Sequence, residues 1–269
     1  MSDRSLSDLQ IRDFVQDGYL LLPGLFSAAE TALLVRAAEG DTRLFADSLS
    51  RRDGEGGITK LRLWNEAGED ICGLVARSER IVRPMEQLLG GEVYFYHSKM
   101  TLKEPYTGGA WAWHQDYGYW YNNGCLYPAM ASCMIALDPT NRENGCLQVI
   151  KGSHELGRLD HQKVGDQTGA DPQRVEEVLK RLPLVYCEMS SGDALIFHGN
   201  LLHRSDQNRS PQRRWLYICC YNAARNNPYK QHHHPCYTPL NKVDDATLAN
   251  YIVRHARVPA GQAAGAVVE

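Results

Sequence analysis

Hydrophobic spacing divides the chain near Gly90-Gly91, with helical periodicity before that pair and strand-like runs after it. Ser7 and Gln10 form a capping-box pair ahead of Phe14 and Val15, and Gly18 follows where the helix would stop. Ser27 and Glu30 repeat the pattern and open a second helix through Leu33, Leu34 and Val35 to Gly40. Residues 41–57 are polar and contain glycine, which predicts a mobile loop before a short apolar strand at residues 61–64. Residues 78–89 carry a third helical pattern, although Pro84 removes a backbone donor within it.

Beyond the glycine pair, residues 93–102 are rich in β-branched and aromatic side chains, and alternation puts Lys99 and Thr101 on one face. Further strand-like runs occupy residues 130–137, 146–150, 184–188, 194–197 and 215–221, punctuated by Asn144-Gly145 and Ser191-Gly192-Asp193. Residues 154–181 read as an insertion holding a helix from Asp171-Pro172 through Val175, Val178 and Leu179. There is no internal repeat and no β-α-β alternation. Short strands at this spacing predict an antiparallel barrel or sandwich beside a helical first third. One domain over residues 1–269 is expected: a helical part at 1–90, a β core at about 91–222 and an irregular segment at 223–269. Residues 259–266 are low in complexity and expected to be disordered.

Composition narrows the partners. A formal net charge of −3 gives no sign of a nucleic-acid or membrane-surface partner. The polar N-terminus has no apolar signal core, and the longest apolar stretch, residues 19–26, is too short to span a bilayer and is broken by Pro23. Eight cysteines lie scattered without a Cys-x-x-Cys spacing, which reads as reduced thiols in a cytoplasmic protein, with Cys219-Cys220 serving packing. No motif specifies an oligomeric state.

The chemistry centres on residues 111–120, Trp-Ala-Trp-His-Gln-Asp-Tyr-Gly-Tyr-Trp. His114 and Asp116 are two apart, so on an extended strand both side chains point the same way. A neutral imidazole and a carboxylate supply two members of the two-histidine, one-carboxylate triad that holds non-haem Fe(II). His203 is the candidate for the third. His198 competes with it: the two are five residues apart and alternation would place them on opposite faces, but Gly199 can break that regularity.

Together with Lys99, Thr101, Ser205 and Arg214, these spacings give the chain, from about Phe14 to about Asn222, a sequence that resembles the phytanoyl-CoA dioxygenase family of Fe(II)/2-oxoglutarate oxygenases. The His-Gln-Asp is followed by a distal His-x-Ser, with an arginine eleven residues beyond that histidine. The resemblance implies a double-stranded β-helix, or jelly roll, with the N-terminal helices packed outside. It implies Fe(II) held by His114, Asp116 and His203, with 2-oxoglutarate and O2 as cosubstrates. Arg214 matches the residue that grips the far carboxylate of 2-oxoglutarate, a role suited to a planar bidentate guanidinium. Ser205 would add a hydroxyl, and Lys99 and Thr101 further cosubstrate contacts. The implied reaction hydroxylates an aliphatic C–H of a small molecule, with release of succinate and CO2.

Trp113, Tyr117, Tyr119 and Trp120 are candidates for a substrate wall, His198 for the cavity near the substrate, and Asn222 and Arg225 for its mouth. Each also has a plainer role open to it: aromatic side chains fill cores, Lys99 could cap a strand edge, and Arg225 could be a solvated surface charge. Of Arg213 and Arg214, one is expected at the surface, and the His203 spacing selects Arg214 for the site. His232-His233-His234 has metal-ligand residue types, but consecutive side chains cannot all face one ion on a regular backbone. A halogenase would replace Asp116 by a small residue, and a hydrolytic zinc enzyme would need no arginine at the Arg214 spacing. A jelly roll that binds a ligand or metal without turnover is the non-enzyme alternative.

Overall fold

The computed structural model describes residues 5–40, 49–164 and 166–255. Residues 41–48 of the expected loop and the low-complexity tail lie outside the described residues. Helix α1 (Asp8–Asp17) carries the expected capping box, Ser7 with Gln10, and ends at Gly18 in the left-handed region (φ 81°). Helix α2 (Ala28–Gly40) is opened by Ser27 and Glu30, whose carboxylate accepts from the Ser27 backbone. Helices α3 (Ile71–Ala76) and α4 (Glu79–Leu89) follow. Pro84 sits inside α4, where it costs about 3 kcal/mol of helix propensity. Buried Ile81, Val82, Met85 and Leu89 on the same helix outweigh that cost at roughly 1.5–3 kcal/mol each.

Seven strands form the larger antiparallel sheet. In spatial order they are β1 (Tyr19–Leu22), β11 (Ala194–His198), β6 (Met130–Ala136), β13 (Arg214–Ala223), β4 (Val93–Lys103), β3 (Ile58–Trp64) and β2 (Leu49–Arg52). Four form the smaller one: β10 (Leu184–Cys187), β7 (Leu147–Ile150), β12 (His203–Ser205) and β5 (Trp111–His114). Leu147, Val149 and Cys187 from the smaller sheet pack against Met134, Leu195, Phe197, Leu216 and Ile218 from the larger, which closes the two sheets into a jelly roll. The opposite face of the larger sheet buries Cys133, Ile135, Ile196 and Tyr217 against α1 to α4 and a C-terminal helix, α7 (Asp245–His255). No helix among the described residues is long and apolar enough to cross a membrane.

Four stretches depart from the sequence reading. Residues 49–52, expected in a loop, pair with β3 as the edge strand β2. The apolar run at 19–22 is an edge strand on β11, and the segment after Asn222, expected to be irregular, contains α7. Between a single helical turn at Ser153–Leu156 and α6 (Pro172–Leu179), the insertion holds a hairpin, β8 (His161–Val164) with β9 (Gln167–Ala170). Adjacent Cys219 and Cys220 do serve packing, one on each face of the larger sheet.

One irregularity in β4 has consequences for the cavity. Cys220 pairs with His97 and Tyr221 with Phe95, so Tyr96 is an extra residue, a β-bulge. Before the bulge, Tyr94 and Tyr96 point into the space between the sheets; after it, Met100 and Leu102 face the helices. Odd-numbered Lys99, Thr101 and Lys103 therefore line the interior.

Candidate active site

His114 ends β5, and His203 opens β12 directly opposite it in register, with the two rings 4.1 Å apart. Asp116 is not on the strand as expected: it is the first residue of a short helix, α5 (Asp116–Trp120). Gln115 between them keeps an extended backbone (φ −110°, ψ 130°), so the two-residue spacing still turns both side chains toward one point. Ligand atoms of His114, Asp116 and His203 all lie within 4.8 Å of one another, and all three residues are buried.

Each of these three side chains is held by a second group. The Nδ1 of His114 pairs with the Ala112 carbonyl at 2.8 Å, and that of His203 with the Leu201 carbonyl at 2.9 Å. A carbonyl only accepts, so both Nδ1 atoms carry the proton and both Nε2 lone pairs are left for a metal. Ser132 donates to Asp116 Oδ2 at 3.1 Å, and Lys99 Nζ lies 3.7 Å from Oδ1. Burial pushes the imidazoles of His114 and His203 toward the neutral form that a metal requires. Burial alone would raise Asp116, but the Lys99 ammonium beside it holds its carboxyl below the usual range. Gln115 is fully buried and anchors the turn: its amide nitrogen donates to the Gly157 and Asn200 carbonyls, and its oxygen accepts from Leu159.

A narrow cleft runs from His114 and His203 to Arg214, lined by Lys99, Thr101, Lys103 and Ser205. Lys99 caps no edge, because β4 lies between β13 and β3. Arg214 is 3% exposed, its guanidinium reaches Thr101 Oγ1 at 3.5 Å, and its Nε has no hydrogen-bond partner among the described residues. Burial lowers it to about 10, a pressure that a bound carboxylate would relieve. Arg213 points the other way, to Glu39 at 2.7 Å and Asp138 at 3.2 Å.

A wider cavity of about 520 Å³ opens from His114 and Asp116 and is bounded by Arg51, His97, Tyr119, Trp120, Asn122 and His234 among others. Of the expected substrate residues, Tyr119 and Trp120 reach it. The others do not. Trp113 faces outward under Arg204 (5.1 Å), while Trp111, displaced by the register shift between β5 and β12, lines the site instead. Tyr117 is core, its hydroxyl donating to the Cys125 carbonyl. His198 turns to Phe14 and His154 on the opposite face. Asn222 donates to the Tyr94 hydroxyl inside the barrel, and Arg225 donates to the Gly90 carbonyl. The His232–His234 run brings no metal cluster together among the described residues, yet His234 stacks on His97 at 4.5 Å and walls this cavity. Sequence reasoning missed Ser132, Lys103, His97 and Arg51. Only Ser132 left a trace, as a polar residue within an apolar strand.

The sequence profile of the phytanoyl-CoA dioxygenase (PhyH) family matches residues 14–215. The chain is 30% identical to an L-proline trans-4-hydroxylase of Streptomyces griseoviridis over 258 residues, covering 90% of this chain and 94% of that protein. It is 28% identical to an ectoine dioxygenase of Bordetella parapertussis, covering 84% and 79%. The crystal structure of EctD from S. alaskensis in its apoform superposes with a TM-score of 0.73 at 25% identity, over 91% of this chain and 89% of that one. By its profile, its relatives and its fold, the chain belongs to the phytanoyl-CoA dioxygenase family of Fe(II)/2-oxoglutarate-dependent oxygenases.

Proposed function

We propose that this protein hydroxylates an aliphatic C–H of a small, carboxylate-bearing molecule, with His114, Asp116 and His203 holding Fe(II) and Arg214 holding 2-oxoglutarate. The observation that carries the reading is the pairing of three converging buried ligands with a buried, underpartnered guanidinium at the far end of one cleft. When bound, Fe(II) with 2-oxoglutarate and O2 supplies C–H oxidation coupled to release of succinate and CO2. The protein's own part is placement. Ser132 and Lys99 fix the Asp116 carboxylate, the Nδ1 bonds fix both imidazoles, and Arg214 sets the direction of the cosubstrate chain. His114, His203, Ser205 and Arg214, which line the cleft, are all buried, which limits the access of bulk water to the reaction.

Substrate size and charge follow from the wider cavity. At about 520 Å³ it suits a small metabolite rather than a polymer. Arg51 lines it, half-buried, with no hydrogen bond or ion pair from its side chain among the described residues, so a substrate carboxylate has a cation to meet. Relatives named for L-proline and ectoine agree with a small polar substrate. The test is anaerobic loading of purified protein with Fe(II) and 2-oxoglutarate, followed by oxygen and a panel of amino acids and other small carboxylic acids. A metal-dependent visible charge-transfer band, then succinate and a product 16 mass units heavier, is expected. Binding of 2-oxoglutarate indifferent to metal would sink the reading.

A further inference from the structure

We propose that the substrate is an amino acid whose nitrogen donates an N–H to His234 Nε2 while its carboxylate meets Arg51. His234 is 8% exposed and lies in the segment after Asn222, beyond the residues 14–215 that the family profile matches. Its backbone N–H donates to His232 Nδ1 at 3.0 Å, in a turn that buries His234 and leaves His233 exposed. The His234 ring stacks on His97 at 4.5 Å, lies 4.8 Å from the Tyr96 ring and borders the wider cavity. A run of three histidines that gathers no metal ligands thus delivers one imidazole to the substrate's side.

Hydrogen bonds decide what that imidazole offers. Asn65 Nδ2 donates to the His233 carbonyl at 2.8 Å, which turns Asn65 Oδ1 toward His234 Nδ1, also at 2.8 Å. An amide oxygen only accepts, so Nδ1 carries the proton and Nε2 keeps a lone pair. That Nε2 has no hydrogen-bond partner among the described residues. Burial, with His233 and His232 alongside, pushes the imidazole down to about 3, so the lone pair persists at neutral pH. A buried acceptor left without a donor costs free energy, and a substrate N–H removes that cost. Charges on the same wall select the kind of donor. Arg51 and Asp166, at the turn between β8 and β9, both border the cavity with no side-chain hydrogen bond or ion pair among the described residues. An unpaired cation and an unpaired anion around one cavity favour a molecule that carries both charges. A hydroxy acid would satisfy Nε2 but leave Asp166 unmet.

This assignment rests on the function proposed above, and the experiment separates the two. Metal-dependent 2-oxoglutarate binding by the wild type tests that function. The assignment is tested without oxygen, on protein loaded with Mn(II) and 2-oxoglutarate, by calorimetric titration with each of the protein amino acids. The tightest binder is then compared with its deamino acid and with its N-permethylated form, which keeps the positive charge but has no N–H. In the wild type the amino acid should bind at least about tenfold more tightly than either analogue. His234→Phe keeps a ring to stack on His97 and has no lone pair. In that variant the amino acid should fall to the level of the N-permethylated form, with affinity for that form, Mn(II) and 2-oxoglutarate unchanged. The proposal is overturned if no amino acid binds, or if either analogue matches the amino acid in the wild type. Wild-type affinity in His234→Phe, or equal losses there for the amino acid and its N-permethylated form, would overturn it too. Should His234→Phe fail to fold, His234→Leu also lacks an acceptor and decides by the same criteria.

Discussion

At Arg214 the guanidinium is sealed inside the barrel with one long contact to Thr101, while its neighbour Arg213 is spent on Glu39 and Asp138. Alternation along β13 is the whole cause: one residue of register puts a charge in the cleft or on the surface. Replacing Arg214 by lysine keeps the charge but loses the planar fork, which is expected to cost about 1.5–3 kcal/mol of cosubstrate binding, or roughly tenfold to a hundredfold. Arg213→Lys should leave that affinity within about twofold, because it removes only partly exposed pairing. Titration of both variants with 2-oxoglutarate checks this, and equal effects would place the wrong arginine in the cleft. At this scale the sequence was legible wherever chemistry restricts residue type. His114, Asp116 and His203, which converge, and Arg214, which is buried at the other end of the cleft, are of that kind. His97 was not legible, because a bulge decides which way it points, and Lys103 was not, because the expected strand stopped at residue 102, one short of the position that continues the Lys99 and Thr101 face.

The β5–α5 junction shows how an element, rather than a residue, builds the site. Its strand stops at His114, its helix starts at Asp116, and the whole turn hangs on Gln115, which bonds to Gly157, Leu159 and Asn200 on two other segments. Gln115→Leu retains the volume and removes every one of those bonds, leaving two carbonyls and one amide to find new partners. At roughly 1 kcal/mol or more for each buried group left unsatisfied, a total loss of about 2–4 kcal/mol is expected. Chemical denaturation would measure it. A metal titration should show weakened iron binding too, since Asp116 would lose its fixed position. Unchanged metal affinity would mean that Ser132 and Lys99 suffice to place the carboxylate. Caps, glycine stops and β-branched runs made α1, α2, α4 and the main strands legible, since those signals are local, whereas the six-residue α3 was not read. Strands β1 and β2 and the β8–β9 hairpin carry no such signal. They are ordered by the partner strand or the insertion they pack on, and α7 by the apolar patch that the first helices leave open.

For the molecule as a whole, the larger sheet is a partition with a different task on each face. One face joins α1 to α4 and α7 in a core remote from the cleft; the other closes over the smaller sheet and shares side chains with it. Leu34, in α2, and Phe197, in β11, are both sealed in these cores, but Phe197 lies 4.9 Å from the His203 ring and lines the cleft. Truncation at either position should destabilise the fold, by about 2–5 kcal/mol for Leu34→Ala and about 3–5 kcal/mol for Phe197→Ala. Function should separate them. Leu34→Ala, assayed well below its lowered melting temperature, should bind metal and 2-oxoglutarate as the wild type does, because the helices touch only the far face of the sheet. Phe197→Ala leaves a cavity against a ligand histidine, so His203 gains freedom to rotate and both affinities should fall together. Thermal melts paired with metal and cosubstrate titrations test the partition. A Leu34→Ala protein that is folded yet as impaired in binding as Phe197→Ala would show that the sheet transmits packing defects from one face to the other.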